Sequence, residues 1–310
     1  VKRVELRGLN LTEASSLLGT VLPTELVGAL NAQCAGSPYF LLEAHKLSNL
    51  DLSAVEQDRK TILRSKFDKL SAELRLVIDL ICISHGPIDK TLVQMNLETG
   101  SSHYDLLYLE KGAWVRPVRI GEKILYEPFH SRLKEFVVSD LGDQITPLHQ
   151  RLASSIAVGD PENFEALSFH YEGAEEFDTA GTYAMKAGVV AEGKLAFDSA
   201  DSFYTKAAEL KEFGLEQGGE LKLRHAQVKH NLGDCRDAAV LASSVARSSY
   251  LPKNEQILLI ANSWFSAGYL ENGLQQLSKL VTQRKLAEPG RNWLWLKLGI
   301  QVLKLRLDAL

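Results

Sequence analysis

Two short stretches of the sequence carry residue types that could do chemistry. The first is Gly36-Ser37-Pro38, which separates two apolar helical runs. Glycine lets the backbone approach another group closely, and proline fixes its own φ and stiffens a turn. The second is His130, about ninety residues further on, where an imidazole can donate or accept a hydrogen bond. Each has a simpler interpretation: a plain helix-to-helix turn, and a helix-start residue that hydrogen-bonds locally.

No arrangement of residues indicates catalysis. The sequence lacks the phosphate-cradling pattern GxxxxGK[ST], and it has no GxGxxG before a helix, no HExxH and no GxSxG. His225 and His230 are five residues apart, so they fall on different faces of a helix and do not pair as metal ligands. We therefore expect no catalytic residues and no metal site in this chain.

Composition describes an ordinary globular chain. Its 310 residues are 45% hydrophobic and 24% charged, enough for two or three domains. The net charge of −4 and the pI near 6.1 argue against a dedicated nucleic-acid surface. Cys34, Cys82 and Cys235 lie far apart in apolar contexts, which predicts buried free thiols in a reducing compartment. No signal peptide or membrane-spanning run is present, so we predict a cytoplasmic protein without a membrane partner.

The two ends of the sequence suggest a fragment. It starts with Val in what we predict to be a strand over residues 3–7, and it ends in a helical pattern without a stop signal. Within residues 1–54 the pattern predicts a helix capped by Thr12 or Asn10, and a second helix over about 23–35 that Gly36 ends in the left-handed conformation. A third helix is predicted from Tyr39 to Leu47.

Residues 55–142 have the element order of a winged-helix domain. Ser71 is predicted to cap a helix that stops at Gly86-Pro87, and short helices follow at about 88–94 and 101–111. Alternation around Gly121-Glu122 predicts a β-hairpin, followed by a helix over about 129–140. Residues 51–60 are polar and are predicted to form a linker or the start of the next helix.

From residue 143 to 310 the pattern is helical throughout. Predicted turns at Lys194, Gly233-Asp234 and Gly268 are spaced by 39 and 35 residues, close to the tetratricopeptide period of about 34. Small residues near these turns would let neighbouring helices approach, as stacked repeats require. They include Ala200, Ala207, Ala238, Ala239, Ala242 and Ala261, with Tyr204, Gly273, Leu277 and Leu280 at related positions. An irregular helical bundle is the alternative. Trp264, Phe265, Trp293 and Trp295 are expected in the core or under a further repeat.

The winged-helix order raises DNA binding as one hypothesis. Such domains place a recognition helix in the major groove, with basic or amide side chains outward. The candidate helix, 101–111, carries Asp105 and Glu110 against a single lysine, and acidic groups repel phosphates. The hairpin offers Arg116, Arg119 and Lys123. We therefore expect the domain to pack against protein, and nucleic acid is disfavoured as a partner.

Four stretches, in order, resemble the STAND ATPases, the signal-transduction relatives of AAA+ proteins. VELRGLNLTEASSLL resembles the last core strand and first lid helix of the ATPase module, and CAGSPYFLLE resembles its lid motif, with Ser37 where Asn is commoner. LSAELRLVIDLICISHGPI resembles the opening of the winged helix, and YEPFHSRLKEFV resembles its last helix. The repeat-like tail follows as in that family, most nearly in the bacterial group fused to kinases, cyclases or helix-turn-helix regulators.

The resemblance implies a fold and a role. It implies a mainly α chain with a helical lid (1–54), a winged helix (55–142) and a tetratricopeptide-like superhelix (143–310). It assigns Gly36, Ser37 and Pro38 to the adenine and ribose of a bound nucleotide, and His130 to the ADP phosphates. No acidic partner directly follows His130, and Arg132 could serve phosphate instead or face solvent. No cofactor is expected in the fragment itself, whereas ADP or ATP with Mg²⁺ is implied for the parent.

The resemblance thus predicts a regulatory, non-enzymatic region of a signal-transduction ATPase. Its partners would be an upstream nucleotide-binding domain and proteins that bind the helical repeats. In that hypothesis the lid and winged helix hold ADP in a closed state, and a signal on the repeats favours opening. The alternative is a nucleotide-independent scaffold whose repeats bind a partner protein. The signal, the effector domain and the oligomeric state are not given by the sequence.

Overall fold

The computed structural model describes residues 7–19, 23–38, 41–42, 45, 59–97, 103–246 and 248–283. The chain divides into two compact units, Val1–Glu176 and Phe177–Leu310. Both are built mainly from α-helices, and the first also holds a small three-stranded sheet. This confirms the predicted mainly α fold class. Among the described residues, every helix is too short or too polar to cross a bilayer.

The first unit opens with α1 (Leu11–Leu18) and α2 (Thr24–Gln33). Asn10 caps α1: its Oδ1 accepts the N–H of Glu13 at 2.9 Å, and the Glu13 carboxylate accepts the N–H of Asn10 at 2.8 Å. Asn10 is therefore the cap, and Thr12 lies inside the helix. Nearly all of the strand predicted at 3–7, and much of the helix predicted at 39–47, lie outside the described residues.

A helical and sheet segment follows. Its elements, in order, are α3 (Arg59–Phe67), α4 (Ala72–Ile83), β1 (Ile88–Asp89), α5 (Lys90–Met95), α6 (His103–Lys111), β2 (Val115–Ile120), β3 (Lys123–Pro128) and α7 (Ser131–Leu141). Ser71 caps α4 as predicted, its Oγ accepting the N–H of Leu74 at 3.3 Å. The predicted hairpin is β2 and β3, and β1 pairs antiparallel with β3 to give the order β1-β3-β2.

One hydrophobic cluster forms the core of the first unit. Trp114, 2% exposed, and Phe136 both meet the ring of Phe67 edge-on, at centroid distances of 5.9 and 6.0 Å. The same cluster includes Leu30 and Leu41 from the opening segment. Residues near the N-terminus and residues of the helical and sheet segment therefore share one core.

The last two helices of the first unit are α8 (Ile145–Gly159) and α9 (Phe164–Gly173). Helix α8 packs on α4 and α5, and the buried Asn96 side chain donates to Ser155 Oγ on α8 at 2.9 Å. The first compact unit therefore extends to Glu176. The domain boundaries expected at residues 54 and 142 remain predictions.

The second unit is a series of helices that pack on their neighbours in sequence. They are α10 (Phe177–Gly193), α11 (Phe197–Leu210), α12 (Leu215–Leu232), α13 (Cys235–Ser243), α14 (Lys253–Ser266) and α15 (Leu270–Gln283). The turns predicted at Lys194, Gly233-Asp234 and Gly268 each join two helices. Gly233 and Gly268 adopt φ of +93° and +86°, which glycine adopts without a Cβ penalty.

The small residues of the repeats lie where helices touch. Those predicted to do so are fully buried, at 0% exposure: Ala200, Ala207, Ala238, Ala239, Ala242 and Ala261, together with Tyr204. Gly188 is one such contact, since a Cβ there would lie 2.5 Å from the Tyr204 ring. Trp264 is partly buried against the core and Phe265 covers Gly273. Trp293 and Trp295 lie outside the described residues.

All three cysteines are buried free thiols, as predicted. Burial in apolar surroundings raises the pKa of the Cys82 thiol, which disfavours its reactive thiolate form. The cysteines therefore act as small apolar core residues.

Candidate functional site

The Gly36-Ser37-Pro38 turn joins the end of α2 to a further helical turn. Ala35 and Gly36 both adopt left-handed conformations, with φ of +48° and +68°. The Gly36 N–H donates to the Asn31 carbonyl at 3.0 Å, and the Gly36 carbonyl accepts the N–H of Leu9 at 2.8 Å. The predicted left-handed end of this helix is thus confirmed at Gly36.

The position of Gly36 also has a structural cause. Gly36 is buried, and a Cβ on it would lie 2.6 Å from the Leu9 nitrogen, so only glycine fits. The Asn31 side chain donates to the Leu9 carbonyl at 2.9 Å and fixes the same crossing. The glycine is therefore required by the fold itself, whether or not the turn also faces a ligand.

Ser37 and Pro38 are the accessible part of this turn. Ser37 is partly buried, and its carbonyl accepts the N–H of Leu41 at 3.0 Å, which begins the next helical turn. Pro38 is exposed at the first helical position, where its missing N–H costs nothing. A ligand at this turn would meet the Ser37 side chain and the Pro38 ring.

His130 is the N-cap of α7. Its backbone is extended, and its Nδ1 accepts the N–H of Arg132 at 3.1 Å. This matches the local hydrogen-bonding alternative that the sequence left open. Arg132 is exposed and pairs with Glu135 at 3.3 Å. In the predicted phosphate contact, His130 would use its other ring nitrogen, Nε2.

The hairpin and α6 present little cationic surface. Arg116 on β2 pairs with Glu127 on β3, its Nε lying 2.7 Å from the carboxylate. Arg119 and Lys123 are exposed. On α6, Tyr108 is 58% exposed and Lys111 is exposed at the C-terminal end. One of the three basic residues of the hairpin is thus neutralised within the hairpin itself.

A buried histidine pair between α8 and α9 was not foreseen from the sequence. His149 and His170 are 6% and 0% exposed, and their Nδ1 atoms lie 3.0 Å apart. One ring must donate and the other accept, so at least one is neutral. Gly173 makes room, since a Cβ there would lie 2.6 Å from the His149 ring. Burial lowers the pKa of both, that of His170 to about 3, with His149, His85 and Lys134 adding repulsion.

Another titratable group in the first unit is Asp79, on α4. Burial, together with the nearby Asp140 carboxylate, raises the pKa of Asp79 to about 7, and Arg75 partly opposes the shift. Among the described residues, no group of three or more His, Cys, Asp or Glu side chains could hold a metal ion. Neither the histidine pair nor Asp79 belongs to the predicted site.

In the second unit, polar side chains cross between helices. The Tyr204 hydroxyl donates to Glu192 at 2.6 Å, and Arg224 reaches the same carboxylate at 3.2 Å. His225 and Lys229 on α12 both contact Asp201 on α11, at 2.8 and 3.0 Å. These contacts tie α10, α11 and α12 together, which is a structural role.

The sequence matches no protein-family model and no curated protein. Among solved structures, the fold is similar to that of a Signal Transduction ATPase with Numerous Domains (STAND) protein with a tetratricopeptide repeat sensor, from Pyrococcus horikoshii. The TM-score is 0.50 and the sequence identity 17%, over 90% of this chain and 42% of the other. The chain thus spans less than half the length of that protein. At this identity the likeness concerns the fold, and it supports an α-superhelical architecture.

Proposed function

We propose that this chain is the regulatory region of a STAND-type signal-transduction ATPase, which couples nucleotide state to a signal or partner sensed by its helical repeats. The observation that carries the proposal is the order of parts within one chain. The chain has, in order, a left-handed glycine turn, a helix–strand–helix–helix–hairpin segment and a series of helices that pack on their neighbours in sequence. The similar solved structure has a fold of the same kind and is itself a STAND protein with a repeat sensor.

The helical and sheet segment, from α3 to α7, fits a winged helix that packs against protein. Within it, helices α4, α5 and α6, the β2–β3 hairpin and the β1-β3-β2 sheet follow the winged-helix order. The basic hairpin residue Arg116 is already paired with Glu127, and α6 carries Glu110 close to its single C-terminal lysine. Duplex binding needs several unpaired cations facing phosphates. A protein-facing role therefore explains this surface better than a DNA-facing role.

The predicted nucleotide contacts lie in one compact unit. The turn at Ser37-Pro38 and the cap at His130 both belong to the first unit, whose opening helices and middle segment share one hydrophobic cluster. In the proposal, the turn meets adenine and ribose and His130 Nε2 donates to phosphate. The phosphate-binding loop and the Mg²⁺ ligands would come from a nucleotide-binding domain outside this sequence, so this chain alone would not hydrolyse ATP.

The test is calorimetric titration with Mg-ADP of two proteins, this chain and the full-length natural protein that contains it. The proposal predicts saturable ADP binding by the full-length protein and none by the chain alone at about millimolar nucleotide, a concentration that would reveal free energies near −4 kcal/mol. A full-length protein that binds no nucleotide would overturn the proposal and leave the nucleotide-independent scaffold. Micromolar ADP binding by the chain alone would contradict the assignment of half a pocket.

A further inference from the structure

The second unit contains a cavity that the predicted site does not use. It has a volume of about 360 Å³ and lies between α11, α12 and α13. Phe213, Leu221, Leu241 and Val245 form its apolar wall. Cavities that hold small ligands span roughly 300–1,000 Å³ and are mostly apolar, with a few polar groups that fix orientation. The volume therefore suits a small molecule rather than a folded partner.

Two consecutive glycines line the cavity. Gly218 and Gly219 line it from within α12, where each glycine costs the helix about 1 kcal/mol relative to alanine. A Cβ on Gly218 would lie 3.3 Å from the Phe213 carbonyl oxygen and 3.5 Å from the Phe213 Cβ, a tight contact with a residue that also lines the cavity. Gly218 thus lets Phe213, part of the apolar wall, lie close against α12.

The ionisable side chains that line the cavity are all basic. Lys211 and Lys222 line it, and none of its described lining residues carries a carboxylate, although the whole chain has a net charge of −4. Lys211 Nζ donates to Thr182 Oγ1 at 2.8 Å and lies 5.3 Å from the Phe213 ring centre. Neither lysine has an ion-pair partner within the described part of the chain. The cavity is thus complementary to a negative group.

The neighbouring Glu216 carboxylate does not offset the positive charge of Lys211 and Lys222. Glu216, in the first turn of α12, is engaged by the backbone N–H of Ser249 and does not line the cavity. Leu215 does line it and is 89% exposed, so its side chain presents apolar surface at the mouth. A ligand with an apolar body would cover this leucine, while its anionic end met the lysines.

We propose that this cavity binds a small amphipathic anion, with its apolar body against Phe213, Leu221 and Val245 and its carboxylate facing Lys211 and Lys222. The proposal deepens the sensor function of the repeats, and it rests on that function only for the signalling consequence of binding. The binding itself depends only on the second unit.

The test titrates the 310-residue chain, without nucleotide, with three probes of one shape: 4-phenylbutyrate, 4-phenylbutanol and 4-phenylbutylamine. We expect saturable binding of the carboxylate, weaker binding of the alcohol and the weakest binding of the amine. Lys222→Glu should weaken phenylbutyrate binding by about two- to fivefold or more, the range of an exposed charge pair, and leave the alcohol unchanged. Lys194→Glu is the matched control, because Lys194 is exposed in the turn between α10 and α11 and does not line the cavity.

NMR spectra of the chain labelled with ¹⁵N-glycine locate the binding site. Phenylbutyrate should shift the amide signals of Gly214, Gly218 and Gly219, which line the cavity, and leave those of Gly193 and Gly233 in place. Equal affinity for the three probes, no saturable binding, or equal loss in Lys194→Glu would each overturn the proposal. Because no nucleotide is present, this result is independent of the ADP titration, and either proposal can fail alone.

Discussion

The backbones of Gly8 and Gly36 touch each other. A Cβ on Gly36 would lie 2.7 Å from the Gly8 Cα, and a Cβ on Gly8 would lie 2.6 Å from the Ala35 carbonyl oxygen. The hydrogen bond from the Leu9 N–H to the Gly36 carbonyl, at 2.8 Å, lies at the same crossing. Backbone atoms thus fix the Gly36 turn from both sides. Backbone cannot move aside for a Cβ as the end of a flexible side chain could.

Gly36→Ala should therefore destabilise the first unit. The substitution combines a left-handed φ with backbone overlap, and we expect a loss of about 2–4 kcal/mol in the free energy of unfolding. Gly86→Ala is the control in the same unit, because nothing lies within 4 Å of a Cβ there and its φ is ordinary. Urea unfolding followed by circular dichroism measures both. Equal stability of the two variants would contradict the backbone crossing.

A second pair of glycines tests the repeats. Gly188→Ala places a methyl group 2.5 Å from the Tyr204 ring, whose hydroxyl is bonded to Glu192. Overpacking of this kind costs about 1–3 kcal/mol. Gly193→Ala lies on the same helix with open space around its Cβ, and alanine is the better helix former. Thermal unfolding should show a lower Tm for the first variant and an unchanged or higher Tm for the second.

The helix-pair turns predict a stabilising substitution. Leu195 occupies the turn after α10 with φ of +59° and is 73% exposed, whereas Gly233 occupies the turn after α12 with φ of +93°. Leu195→Gly relieves left-handed strain and loses little burial, so we expect a gain of up to about 1 kcal/mol. Gly233→Ala should lose about 1 kcal/mol. Urea unfolding measures the stability of both variants. A Leu195→Gly variant that is less stable than the natural chain would show that the left-handed conformation of Leu195 is not strained.

The stability of the first unit should depend on pH in two opposite ways. Because the pKa values of His149 and His170 are lowered, the unfolded chain takes up protons at a higher pH than the folded chain does. The stability contributed by the neutral histidines is therefore complete above about pH 6.5 and is lost as the pH falls towards about 3. The raised pKa of Asp79 acts in the other sense. Its contribution is present at low pH and is lost as the pH rises through about 7.

Single variants separate these two effects. Asp79→Asn should raise stability near pH 8 and remove the loss of stability that Asp79 causes between about pH 4 and pH 7, so that the rise from pH 4.5 to pH 6.5 becomes steeper. His170→Gln should flatten the acid side, whatever its effect at pH 7. Urea midpoints measured from pH 4.5 to pH 8.5 check both slopes. An acid side that is as steep in His170→Gln as in the natural chain would show that the pair does not titrate as described.

Local signals in the sequence predicted much of the structure. Ser71 as a cap, the hairpin at Gly121-Glu122 and the turns at Lys194 and Gly268 each depend on a few neighbouring residues, and each is found. Alanines at helical spacing likewise predicted the helix contacts. Between the two candidate caps of α1, propensity could not choose, and the reciprocal bond with Glu13 made Asn10 the cap.

Features that depend on distant residues were not predictable in this way. His149 and His170 are 21 residues apart and meet only because α8 and α9 pair, with Gly173 leaving space for a ring. The cavity needs three helices to exist. For Gly36, the sequence suggested a close approach to a ligand, whereas the partner that demands glycine is the backbone of Gly8 and Leu9. The ligand contacts of Ser37, Pro38 and His130 remain predictions.

His130 offers the most direct test of nucleotide sensing, through a substitution that spares its structural role. Asparagine is a good N-cap whose Oδ1 can accept the Arg132 N–H in place of Nδ1, so His130→Asn should keep the stability of α7. It removes Nε2, the atom assigned to phosphate. A hydrogen bond to a charged group is worth about 1.5–3 kcal/mol.

The first measurement is therefore the ADP affinity of the full-length natural protein and of its His130→Asn variant, with unfolding midpoints compared in the absence of nucleotide. We predict equal midpoints and an ADP affinity about tenfold weaker or more in the variant. Equal ADP affinities in two equally stable proteins would contradict the assignment of His130 to the phosphates. The nucleotide-sensing account of this unit would then lose its main contact.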